Sequence, residues 1–265
     1  MASNYQEWYF QLINKRTGRP VDDDTGLYII LTASDPTRAT AYSDASGTSL
    51  TQPATMTNGI GRFWLDSATT TVDISILTAT GRSYFIEALT PSQHRVDVDP
   101  ERSDYTFICN WHATTASNAV ADTGFDLIAG MRIKDVFVHV TTAIATGCTI
   151  DFGVSGDTDG FLDGINAGSS TGWRQARANE GAVDTAVAGY TTFVSGVQER
   201  GVLLATWAGG LITGTTGGAK GYFAPKPYLV TAATSLVWVL TLSNTAGTGE
   251  GYVYLEYDLL PTLGN

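Results

Sequence analysis

The sequence predicts an all-β protein, and three observations carry that expectation. Short apolar segments alternate with a period of two, as in Thr71 to Leu77, where Val72, Ile74 and Ile76 fall on one face and Asp73 and Ser75 on the other. Turn signals separate these segments, among them Asn58-Gly59, Gly81-Arg82 and Pro91. The composition agrees: 29 glycines and only 15% charged residues in 265 leave little material for solvated helices. The expected architecture is a small amino-terminal β-sandwich or barrel module over residues 1–100, followed by a larger jelly-roll-like β-sandwich over 105–265.

Taken in order, the first strands are Leu27 to Thr32, Ile60 to Leu65 after the Asn-Gly turn, Thr71 to Leu77, Ser83 to Leu89 and Arg95 to Val98. The polar stretch Asp99-Pro100-Glu101-Arg102-Ser103-Asp104 then reads as a boundary between modules. Beyond it come Tyr105 to Trp111, Gly130 to Val140, Thr149 to Val154, Gly201 to Thr206, Pro227 to Ala232, Ser235 to Leu242 and Gly251 to Tyr257. The Ala-, Gly- and Thr-rich region 169–189 reads as an ordered loop or short helix. Residues 209–221 read as a glycine-rich excursion between elements.

Charge narrows the function classes. The formal net charge is −11, and both halves are acidic: 8 basic and 13 acidic residues up to Asn110, 7 and 13 after it. No basic stripe is present to neutralise phosphates, so no nucleic-acid partner is expected. The longest apolar runs, such as Leu236 to Leu240, have strand length and fall far short of the ~20 residues of a membrane span, so no membrane partner is expected either. The first ten residues hold no basic segment followed by an apolar one, which predicts synthesis in a host cytoplasm without a signal peptide. In such a reducing setting Cys109 and Cys148, each in a strand-like run, are expected as buried free thiols, with a disulfide between them as the alternative.

No catalytic pattern assembles. His-Glu-x-x-His and P-loop spacings are missing, and His94, His112 and His139 are far apart in sequence. The expectation is a protein that is not an enzyme and takes no cofactor. Asp157-Thr158-Asp159-Gly160-Phe161-Leu162-Asp163 is the most site-like cluster. Asp157, Asp159 and Asp163 are a weak calcium candidate, since a hard cation takes several flexible oxygens. The same residues are ordinary turn formers, and a turn is the first reading. At the amino-terminal end, Trp8, Tyr9 and Phe10 carry more apolar surface than a free segment would leave open. They pack on the module's own sheet, or serve as an arm contacting another subunit or a capsid; alternation puts Trp8 and Phe10 on one side and Tyr9 on the other. Trp173 and Trp207, flanked by glycines, are the aromatics placed to stack on sugar rings.

The segment Ala39-Thr40-Ala41-Tyr42-Ser43-Asp44-Ala45-Ser46-Gly47-Thr48, with Leu50, Pro53, Asn58-Gly59 and Gly61-Arg62-Phe63-Trp64 after it, resembles a small β-module of tailed-bacteriophage virion structural proteins. Thr17-Gly18-Arg19-Pro20-Val21, Gly26-Leu27-Tyr28-Ile29 and Thr71-Val72-Asp73-Ile74 extend the likeness. More loosely, Gly130 to Val136 and Gly153 to Gly164 look like the β-domains of capsid decoration or cement proteins. The resemblance implies a virion protein that stabilises the assembled phage head, with the major capsid protein and itself as partners and a trimer favoured. A tail-fibre or host-receptor, carbohydrate-binding module is the alternative it leaves open. No catalytic residue is carried over.

Overall fold

The computed structural model describes the chain except for residues 1–3, 22–24, 34, 100–103, 114–119, 145–147, 169, 176–180, 184–198, 201–202, 214–218, 242–247 and 261–265. The described residues form strands and turns, with no helix among them. The protein is all-β. It divides into two compact units, Met1–Asn110 and Trp111–Asn265, with the division inside a strand.

The first unit contains β1 (Tyr5–Asn14), β2 (Gly26–Thr32), β3 (Ala54–Met56), β4 (Ile60–Asp66), β5 (Val72–Thr78), β6 (Ser83–Leu89) and β7 (Arg95–Val98). They make two sheets, ordered β4-β1-β7 and β3-β2-β5-β6. β1 lies in the middle of the first, antiparallel to β4 and parallel to β7. Trp8, Phe10 and Leu12 of β1 meet Tyr28 and Ile30 of β2, Phe63 of β4 and Ile74 and Ile76 of β5 in one core. Phe10 points edge-on at Tyr28 with ring centroids 5.4 Å apart, so the two sheets face each other across interlocking rings. The Asn58-Gly59 pair makes the turn its sequence announces: φ is 54° and 70°, both positive as a tight hairpin turn demands, and it joins β3 to β4.

β5 is buried along its whole length, polar positions included. Asp73 accepts a bond from the Ala88 amide, and Ser75 donates to the Ile108 carbonyl. Ser83 likewise donates to the Thr106 carbonyl. Ile108 and Thr106 belong to β8 (Asp104–Ala113), whose leading half satisfies the polar face of β5 and β6 within the same unit.

The second unit takes the end of β8 and adds β9 (Val120–Leu127), β10 (Met131–Thr142), β11 (Thr149–Val154), β12 (Asp157–Asn166), β13 (Gly172–Gln175), β14 (Gly181–Val183), β15 (Glu199–Arg200), β16 (Ala205–Thr213), β17 (Ala219–Pro225), β18 (Tyr228–Leu229), β19 (Thr234–Thr241) and β20 (Gly249–Leu259). One sheet runs β13-β10-β20-β8 with β18 also on β10, a second runs β15-β12-β11-β19-β9, and a third runs β14-β17-β16. Of β14 to β17 only the backbone pairing is described. β10 shows why one face is core: Met131, Ile133, Val136, Val138 and Val140 are all fully buried, and the residues between them are not.

Five segments differ from the sequence-based expectation. Of Gly201 to Thr206 only Ala205-Thr206 is strand among the described residues, and Pro227 to Ala232 is strand only at Tyr228–Leu229. Asp157 to Asp163 is not a turn but the first seven residues of β12, and the turn lies at Ser155-Gly156 before it. Its turn-forming residues are absorbed by irregular pairing with β11, whose register shifts twice. The 169–189 region holds β13 and β14 and no helix among its described residues. The glycine-rich 209–221 stretch contributes to β16 and β17, paired antiparallel with shifts on either side of Gly209, where the lack of a side chain suits a bulge.

Candidate functional site

The outward face of the β13-β10-β20-β8 sheet is graded along its strands. At one end Asp258 sits between Arg132 and Lys134, with the lysine 3.1 Å away. The hydrogen bond from Arg132 is the main reason its carboxyl is held below the ordinary carboxylate range. In the middle the face turns aromatic. Antiparallel pairing of β13 with β10 sets Trp173 opposite His139, and pairing of β10 with β20 sets His139 opposite Tyr252 and Phe137 opposite Tyr254. The Trp173 ring stacks on His139, centroids 4.7 Å apart and planes 21° apart, and leans on Tyr254 at 4.8 Å. Tyr254 in turn meets Tyr252 edge-on at 6.2 Å.

Trp173 lies on the edge strand of this sheet and is 59% exposed. Its backbone is fixed: Arg174 donates to the Trp173 carbonyl at 2.9 Å and, at 2.7 Å, to both the carbonyl and the hydroxyl of Ser170. Gly172 enters the strand at φ 116°, a conformation an L-residue with a side chain rarely adopts. Beyond Tyr252 the row ends in a polar group of side chains. Glu250 lies 3.1 Å from His112 Nδ1, accepts from the Thr142 hydroxyl at 3.2 Å, and offers its own carbonyl to Thr141.

The other expected site residues lie apart from this row. Trp8 and Phe10 are fully buried in the core of their own unit, so neither side chain is available to a partner. Tyr9 points the other way and stacks on His94 at 3.9 Å with nearly parallel planes. Of the two readings the sequence offers, packing on the module's own sheet and an arm on another subunit, the burial of Trp8 and Phe10 accords with the first, since a central strand buries one face. Trp207 belongs to β16 opposite Phe223 in the backbone register, and its side chain lies outside the described residues.

On β12, Asp157 and Asp163 share an acidic neighbourhood with Asp159 and Asp151. Burial first, and the Asp159 carboxyl second, push Asp157 up to about 6. Burial again leads for Asp163, also pushed up to about 6, with Asp151 and Asp159 adding repulsion. Asp151 itself accepts the Gly164 amide at 2.7 Å. Among the described residues no group of three or more histidine, cysteine, aspartate or glutamate side chains converges as a metal site would. Cys109 and Cys148 are buried free thiols, and burial drives the Cys109 thiol far above its ordinary value.

The alternation of β10 and of β20 marks His139, Tyr252 and Tyr254 as outward-facing, but neither segment alone shows that they meet Trp173. That depends on β13 taking the edge beside β10, a pairing across more than thirty residues that leaves no local trace.

No family model matches the chain, and no curated protein does. Solved structures similar to it include the infectious bursal disease virus VP2 subviral particle, at 10% identity and a TM-score of 0.23, covering 97% of this chain and 68% of that one. A second is the structure of infectious bursal disease virus Gt strain, at 11% identity and a TM-score of 0.16, covering 97% and 61%. At these values the likeness assigns neither fold nor function.

Proposed function

We propose that this chain is a structural protein of a tailed-phage particle, a decoration or cement protein that binds the assembled head from outside. The observation that carries the reading is the Ala39 to Trp64 segment, the stretch that resembles phage structural modules. It folds as a braced clasp. Tyr42 bridges both Ser49 and Trp64, exchanging backbone bonds of 2.9 Å with Trp64 in each direction. Ser43 bonds Thr48 and Leu50 bonds Ala41 across the same loop. Asp44 collects the Ser46 and Thr48 amides, and bonds from Thr48 hold its carboxyl below the ordinary range. A loop ordered by its own bonds loses little entropy when it docks, which suits a surface that must seat on a preassembled lattice.

The acidic surface fits an outer position away from packaged nucleic acid. Partners under this reading are the major capsid protein and further copies of the chain, a trimer being favoured by the resemblance. No enzymatic step is assigned. Binding only the assembled shell would stabilise it by mass action. The tail-fibre or host-receptor module is the alternative setting.

Cryo-electron microscopy of the parent virion, with antibody labelling of this chain, tests the reading. Density at regular positions on the head is expected. A particle lacking the chain overturns the proposal, and label confined to the tail transfers it to the alternative.

A further inference from the structure

We propose that Trp173 is the stacking platform of a carbohydrate-binding site whose ligand is a neutral pyranoside, held flat against the indole. Two observations carry this. One is the way the ring is mounted: it rests on His139 and Tyr254, its strand is fixed by Arg174 and Ser170, and 59% of its surface remains in solvent. A side chain kept for packing alone would turn that surface inward. The other is the company it keeps. The five large hydrophobics exposed among the described residues are Ile60, Val120, Trp173, Leu229 and Leu260, and no other of them lies on β10, β13 or β20 beside the ring. An apolar interface with a second copy needs roughly 800 Å² from each partner, and one indole offers at most about 250 Å². The patch therefore suits a ligand the size of a sugar ring.

The chemistry of the row selects the class of ligand. Axial C–H groups of a pyranose carry slight positive charge and sit favourably on the electron-rich face of an aromatic ring. Around such a ring its hydroxyls need polar neighbours, and the row supplies the polar-tipped rings of His139 and Tyr254, the next ring, Tyr252, being buried. Glu250 at one end of the row faces His112, while Glu256, on the same face of β20 two residues from Tyr254, is exposed, so the charge flanking the rings is acidic. In a chain of net charge −11 an anionic ligand such as a sialylated glycan or an acidic lipid surface is repelled, and an uncharged sugar is not. The site does not depend on head or tail placement, so its failure leaves the particle experiment untouched.

Labelling the full chain with 5-fluorotryptophan gives one fluorine resonance for each of its six tryptophans, and a Trp173→Phe sample assigns the one at issue. The probes are cellobiose, N,N′-diacetylchitobiose and lactose, titrated separately. At least one should move the Trp173 resonance saturably while the other five stay in place, with a dissociation constant on the order of 1 mM. Trp173→Ala should weaken that binding at least about tenfold at unchanged melting temperature, with Trp173→Phe intermediate. The proposal is overturned if no disaccharide moves the resonance, or if the saturable response belongs to another tryptophan. It is also overturned if the Trp173 resonance shifts with protein concentration and Trp173→Ala dissociates an oligomer, for the ring would then be a subunit contact.

Discussion

Asp157 and Asp163 act on stability against the usual direction for carboxylates. Their folded values of about 6 lie above the ordinary 3.8, so the folded chain binds these protons more tightly than the unfolded one. Their contribution is most favourable below about pH 4, declines as pH rises from about 4 to about 6, and stays at its lower level above that. Asp163→Asn should therefore raise the melting temperature by a few degrees at pH 7.5, with solvent screening of this half-exposed group limiting the gain to about 1 kcal/mol. Near pH 4 the advantage should vanish; a gain equal at both pH values would mean that charge is not its source. The same residues show where local reading stops. Asp and Gly at 157–163 carry turn chemistry, yet Phe161 and Leu162 between them are fully buried, and the demand to bury those two draws the segment into β12.

At the scale of elements, β1 is the strand on which the first unit depends. Removing residues 1–10 takes Trp8 and Phe10 out of the core, each worth about 2 kcal/mol, and strips β4 of every β1 partner but Gln11, leaving only the Gln11–Asn14 remnant paired with β7. The calorimetric transition of the first unit should disappear from the truncated chain. A normal transition with weakened assembly would instead make the segment an arm between subunits. Strands with strong alternation and clear turns were legible: β5, β6, β7 and β11 fall within a residue of where the pattern puts them, and Asn58-Gly59 forms its expected turn. β9, β13 and β16 were not. Their sequences mix glycine and polar residues, and they are strands because a neighbour offers an edge. The same holds for the site. Trp173 stood out by its glycine-flanked position, whereas its packing on His139 and Tyr254 is a product of pairing.

In the whole molecule the two buried thiols fall in different units, Cys109 in the first and Cys148 in the second. Neither should react with a thiol reagent in the native protein, and each should become reactive at the denaturant concentration that opens its own unit. Site-resolved mass spectrometry after pulse labelling reads both, and reaction of either cysteine before any unfolding would contradict its burial. Sheet order is the level at which the sequence is least informative, because partners chosen across dozens of residues obey shape and burial rather than local pattern. The parallel pairing of β1 with β7 is the clearest case, joining Gln11–Asn14 to Arg95–Val98. It also imposes a schedule on biosynthesis. A ribosome adds roughly 5–20 residues per second, so several seconds separate the making of β1 from that of β7. Until then Trp8, Phe10 and Leu12 have an unfinished sheet to close on, and an adjacent nascent chain carries the same unfinished strand. Slower initiation or lower temperature should therefore favour soluble product, because the first strand made is among the last to be enclosed.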